Sequence, residues 1–128
     1  MNIPSNLKFA KSHEWIRVEG EEAFIGISEY ATSELGEISF IDIDPDRVGE
    51  DLSKNDSFGV IEAVKTVTDV YMPVSGQLLE VNQEVLDNPV NLEKDCYGKG
   101  WLIKISVKDS SELSQLLDAE AYKEIAKH

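Results

Sequence analysis

The sequence predicts a mainly β fold, a small β-sandwich or flattened barrel with peripheral helices. Short strand-like segments with turn residues between them fill most of the chain, and the clearest helical patterns come last. The stretch Ser57–Gly76 is the third indication, because nearly every residue from Phe58 to Val74 is apolar or β-branched. A run of that length exceeds an ordinary strand of at most about ten residues, so it must fold back on itself. Lys65 is its midpoint and its only basic residue. No Asn-Gly or Gly-Gly marks the reversal.

From the N-terminus, a short lead precedes Glu14–Val18, which alternates, and Ala23–Ile27, which returns after Glu-Gly-Glu-Glu as a hairpin. Ser28 is placed to cap a short helix through Tyr30, Ala31 and Leu35, ended by Gly36. Ile38–Ile43 reads as a strand that stops at Pro45, and the acidic Asp44–Asn55 segment as a loop. After the central hairpin, Gly76–Val81 is a strand, Gln83–Asp95 is irregular with at most a helical turn, and Trp101–Val107 is the last strand. Asp109-Ser-Ser-Glu112 resembles a capping box, followed by the apolar face Leu113, Leu116 and Leu117, and Asp118 restarts a helix bearing Tyr122 and Ile125. One domain over 1–128 is expected, with a C-terminal helical segment at about 109–127. The strand faces place Trp15, Phe24, Ile27, Phe40, Val60, Leu79, Trp101 and Ile103 in the core. Truncating a fully buried Trp101 to Ala would cost roughly 3–5 kcal/mol.

Composition narrows the function. A net charge of −13, from 25 acidic against 12 basic residues, is a poor match to nucleic acid or anionic membranes and suits basic partner surfaces. No apolar run is long enough for a membrane span. The opening Met1–Ser5 has no secretory or transit signature, so a cytoplasmic protein, or a processed mitochondrial one, is expected. The single Cys96 excludes an internal disulfide and reads as a small packed residue.

No self-sufficient active site is visible, and an enzyme is not expected. Asp42-x-Asp44-x-Asp46 opens like a calcium loop, but Arg47 and Ser53 stand where Gly and Glu are required, leaving a solvated acidic loop. The histidines are His13 and His128, with nothing in sequence marking a nucleophile for His13, whose expected use is structural or surface. So few His and Cys argue against a dedicated metal site. A lone lysine at a turn is ordinarily a solvated side chain.

The surroundings of Lys65 change that reading. Glu-Ala-Val-Lys-Thr, with Ser75-Gly76 downstream, resembles the attachment hairpin of the lipoyl/biotinyl carrier family. Val64 and Thr66 stand where biotin carriers have Met, and the Asp that usually precedes the lysine in 2-oxoacid dehydrogenase lipoyl domains is absent. The E-x-V-K form is similar to the H proteins of glycine cleavage systems. That resemblance runs through Leu7-Lys8-Phe9, His13-Glu14-Trp15, Leu35-Gly36-Glu37, Pro73–Gly76, Tyr97–Trp101 and Asp118–Tyr122.

The resemblance implies a barrel-sandwich hybrid, lipoic acid in amide linkage on Lys65, and a monomeric carrier with a swinging arm. Its implied partners are glycine decarboxylase, aminomethyltransferase, dihydrolipoamide dehydrogenase and the lipoate-attaching enzymes. It further implies a cleft for the loaded arm at Ser12, Glu14, Glu34 and Asp69. Glu34 stands where family members can carry His, Ala63 where Ser is common, and the Asp44–Asp51 loop is lengthened. Glu14 is expected to pair with the arm's ammonium as a surface acid, worth about 0–1 kcal/mol. An H-like carrier in lipoate relay or another lipoyl pathway, and an interaction module with Lys65 unmodified, are the alternatives.

Overall fold

The computed structural model describes residues 2–126. Lys127, the last residue of the expected C-terminal segment, and His128 lie outside the described residues, as does Met1. Among the described residues, nine strands form two antiparallel sheets. The larger contains β1 (Lys8–Phe9), β2 (Glu14–Glu19), β3 (Glu22–Ile27), β9 (Ile103–Val107), β8 (Gly76–Val81) and β5 (Asp51–Leu52), in that spatial order. The smaller contains β4 (Ile38–Asp42), β6 (Ser57–Ala63) and β7 (Val67–Tyr71), with β6 in the centre. Four short α-helices among the described residues, α1 (Glu29–Leu35), α2 (Gln83–Asp87), α3 (Val90–Lys94) and α4 (Ala119–Ile125), surround the sheets. The fold is the mainly β, barrel-sandwich type expected.

Local chemistry explains the element ends. Ser28 caps α1 by accepting from the Ala31 N–H, and Gly36, at φ 75°, closes it with its N–H on the Thr32 carbonyl. Asp118 caps α4 in the same way through the Ala121 N–H. The Asp44–Asn55 segment is more ordered than its composition suggested. It holds a 3₁₀ turn at Pro45–Arg47, capped by the Asp44 carboxylate, and then β5, which pairs with β8. Gln83–Asp95, expected to be irregular, forms α2 and α3, and Lys8–Phe9, expected as lead, pairs with Ile16 and Trp15 as β1.

Two apolar clusters occupy opposite faces of the large sheet. The main one lies between the sheets and includes Ile16, Ile25, Ile61, Val70, Leu78, Ile103 and Ile105. The second packs Leu7, Phe9 and Trp15 against Ala119, Tyr122 and Ala126 of the C-terminal segment. β2 therefore buries residues on both sides: Glu14, Trp15 and Ile16 are all buried in succession. Trp15 fits because its cross-strand partner is Gly26, where a Cβ would come within 2.6 Å of the indole.

Several core expectations need correction. Trp15, Ile27 and Ile103 are buried, but Phe40 is 50% exposed, because a bulge between Ile38 and Phe40 turns it outward and seats Ile41 inside. A register shift between Leu78 and Glu80 likewise buries Leu78 and leaves Leu79 half-buried. Val60 is half-buried on the outer face of the small sheet, between Asp42 and Asp69. Phe24 and Trp101 meet edge to face at 5.2 Å, half-buried at the margin of the second cluster, with Arg17 and Lys104 over Phe24. Ile125 is exposed.

Candidate functional site

Lys65 stands at the tip of the β6–β7 hairpin. The Ala63 N–H donates to the Thr66 carbonyl at 2.8 Å, leaving Val64 and Lys65 as the reversal. Neither residue has a positive φ, so this is not one of the primed turns that ask for Asn-Gly, which is why no such pair marks it. The Val64 N–H donates to the Glu37 carbonyl at 2.9 Å, tying the tip to the connection after α1. The Lys65 stem lies over Gly36, where an added Cβ would come within 2.9 Å of Cε. Lys65, Val64 and Val67 are exposed, and no ion pair holds the amine among the described residues. The tip is fixed and its nucleophilic end is accessible.

Beside the tip lies a cavity of about 330 Å³ between α1 and β7. Ser12, Glu14, Glu34 and Asp69 all line it, together with His13, Tyr30 and Leu35. Leu35 immediately precedes Gly36, so the cavity rim and the seat of the Lys65 stem are continuous in the chain. Glu34 and Asp69 are exposed. Glu14 is not a surface acid: it is 1% exposed, because it begins β2 on the side that faces β7. Its carboxylate accepts from the Ser12 hydroxyl and, at 3.0 Å, from the Tyr71 N–H. Burial pushes its pKa up, opposed by those two bonds.

Two wall residues, His13 and Tyr30, and the buried Tyr122 behind them stand outside the residues the sequence singled out for the cleft. His13 joins β1 to β2 at φ 80°, a left-handed conformation that a side chain bearing a Cβ rarely adopts. Its Nδ1 lies 2.8 Å from the Tyr122 hydroxyl, and its ring is tilted against Tyr30 at 4.8 Å. Burial lowers its pKa, with Glu34 pulling the other way. Tyr30 hydrogen-bonds Glu34, and that bond, ahead of burial, raises the phenol's pKa. In sequence Tyr30 and Tyr122 looked like helix-face apolar residues, and nothing marked His13 beyond its place before Glu14.

Cys96 lies elsewhere, buried, its thiol pushed up to about 12 by burial and then by Glu29 and Asp95. Among the described residues no group of three or more His, Cys, Asp or Glu is placed to hold a metal ion. The would-be calcium loop uses Asp44 as a turn cap.

The family model described as glycine cleavage H-protein matches residues 7–128. The chain belongs to this family. Among glycine cleavage H-protein relatives, it is 50% identical over 98% of both chains to the glycine cleavage system H protein of Bacteroides thetaiotaomicron. It is 43% identical to that of Halothermothrix orenii, over 95% of this chain and 94% of the relative. The solved H protein of Mycobacterium marinum superposes with a TM-score of 0.83 at 34% identity, covering 95% of this chain and 97% of the other. Glycine cleavage H-proteins are lipoyl carriers, and the barrel-sandwich architecture here is theirs.

Proposed function

We propose that this protein carries a lipoyl group in amide linkage on Lys65, as one carrier unit spanning residues 1–128 and including the 109–127 segment. In this reading it brings the aminomethyl group of glycine from glycine decarboxylase to the aminomethyltransferase, and electrons onward to dihydrolipoamide dehydrogenase. The observation that carries it is the position of Lys65, exposed on a pinned two-residue tip with its stem over Gly36, the residue that follows Leu35 in the wall of an acid-lined cavity.

The residues present suit such a group. An exposed primary amine can be acylated, and the space over Gly36 that a Cβ would fill is occupied by the lysine stem. When attached, the group supplies a strained cyclic disulfide that opens reductively and can be reoxidised. The chain itself supplies a fixed base and a high effective concentration once a partner docks. No catalytic step is assigned to its own side chains; it acts as a substrate of each partner enzyme, as a monomer in the cytoplasm.

Ser12, Glu14, Glu34 and Asp69 form the proposed resting place of the loaded arm. Glu14 differs from a surface acid in strength, since a desolvated carboxylate attracts an ammonium more than a hydrated one does. Ser12 and the Tyr71 N–H hold it in place. The Asp69 carboxylate is further oriented by the Ser57 hydroxyl at 3.3 Å.

The test is intact mass on protein from lipoate-replete cells, with Lys65→Arg beside it. The expected outcome is a lipoyl mass increment on the wild type alone, with the variant folded but unable to support glycine-dependent CO2 exchange. Exchange supported by Lys65→Arg would defeat the assignment.

A further inference from the structure

A chain of hydrogen bonds behind the cavity has a direction that the buried groups dictate. Ser28 is fully buried, and its Oγ accepts from the Ala31 N–H at 3.2 Å as the cap of α1. Its own proton has one acceptor among the described residues, the Tyr122 hydroxyl at 2.5 Å. Tyr122 is also fully buried, stacked on Phe9 at 4.3 Å, so having accepted from Ser28 it must donate to the remaining neighbour, His13 Nδ1, at 2.8 Å. Nδ1 is then an acceptor, and the proton of the neutral ring sits on Nε2. Nε2 makes no bond within the described protein, and the ring lines the cavity. His13 is held for this: its left-handed backbone is pinned by its carbonyl, which accepts from the Ser28 N–H at 2.9 Å.

We infer that the Ser28–Tyr122–His13 relay locks His13 in its Nε2–H tautomer, giving the cavity one fixed neutral donor among its carboxylates. Tyr122 and Ser28 are positioning residues, and His13 is the group that meets the ligand. The ligand group it takes is a neutral hydrogen-bond acceptor, and on a lipoyl-lysine arm the strong acceptor is the amide carbonyl. The cavity then recognises both ends of a loaded arm: carboxylates for its ammonium, the imidazole N–H for its carbonyl. Protonating His13 would reverse the relay and leave the Ser28 proton without an acceptor, so the same geometry holds the ring neutral. The charged and titratable groups around the ring are Glu14, Tyr30, Glu34, Asp69 and Tyr122; burial acts in the same direction as the relay, and the Glu34 carboxylate acts against it.

The tautomer part is independent of the arm, and the ligand part rests on the function proposed above. Ring 15N resonances of His13 in unmodified protein at neutral pH should show a single Nε2–H tautomer; an Nδ1–H ring or an imidazolium would overturn the relay. Tyr122→Phe keeps the ring on Phe9, and there the tautomer ratio should relax toward that of a free imidazole side chain. A ratio identical to wild type in a folded Tyr122→Phe protein would also overturn it. In lipoylated, glycine-loaded protein, exchange of the Nε2 proton with water should slow by about fivefold, the effect of one neutral hydrogen bond. Unchanged exchange would remove the arm carbonyl as the ligand while leaving the relay standing. A Lys65 shown by mass to be unmodified would defeat the carrier reading and the ligand part, and the tautomer result would still decide the relay.

Discussion

Glu14 shows what one residue's surroundings decide. It is a carboxylate with almost no exposure, so its charged form is penalised even though Ser12 and Tyr71 partner both oxygens. Its folded-state pKa is raised above the ordinary 4.5. The folded protein therefore binds this proton more tightly than the unfolded chain does. Its stabilising contribution is complete below about 4.5 and is lost as pH rises through the raised value. Glu14→Gln can accept from the Tyr71 N–H and donate to Ser12, so it keeps the bonds without the charge. Denaturant titrations from acid to neutral pH should then show the wild type losing ground against Glu14→Gln as pH increases. A difference that stays constant across that range would mean burial does not perturb this carboxyl. Glu14 was singled out in sequence beside Trp15, but its burial was not legible there, because it depends on β7 crossing over it.

At the level of the element, cap residues and run length were legible, whereas the short helices of Gln83–Asp95 and the two-residue strands were not. Ser28 and Gly36 bounded α1, Asp118 began α4, and the apolar run around Lys65 folded where its length required. Facing was legible only where alternation is regular. The bulges beside Phe40 and Leu79 shift the period-2 pattern by one residue, and nothing local in those segments announces them. Trp101 was misjudged for another reason. It sits just before β9, on the outer margin, where Phe24 covers only one side. Trp15→Ala should accordingly cost about 3–5 kcal/mol, since the indole is fully buried and its N–H donates to the Cys96 carbonyl at 3.0 Å. Trp101→Ala should cost roughly half as much, in proportion to the area lost. Chemical denaturation that ranked the two variants in reverse order would contradict this division of the core. Gly26→Ala tests the same packing from across the strand pair. It should destabilise by about 1–3 kcal/mol, because its new methyl would come within 2.6 Å of the buried indole.

On the scale of the whole molecule, the C-terminal segment links the core to the cavity. Leu117 bridges Phe9 through paired backbone bonds of 2.8 Å, adding a strap beside β1. α4 then lays Tyr122 on Phe9 and reaches His13, whose ring forms the cavity wall. The sequence revealed a terminal helix with an apolar face, but not that the large sheet is covered on its second side. Trp15 and Ile16 belong to different clusters, and only long-range contacts show it. Ending the chain after Leu117 would uncover Phe9, Leu7 and Trp15 and delete a fully buried tyrosine. Losing one such aromatic costs about 3–5 kcal/mol. Small proteins have only about 5–15 kcal/mol in total, so the truncated chain should survive as a weakened fold. Its melting midpoint should fall by about 10–25 °C, scaled for a chain of this size. The inter-sheet cluster does not use α4, so the β6–β7 hairpin should persist and Lys65 should remain a substrate for acylation. His13 would lose its Tyr122 partner, so the cavity wall should fail before the attachment site does. A truncated protein that melts like the full chain would show that α4 is an accessory, not the cover of the second core.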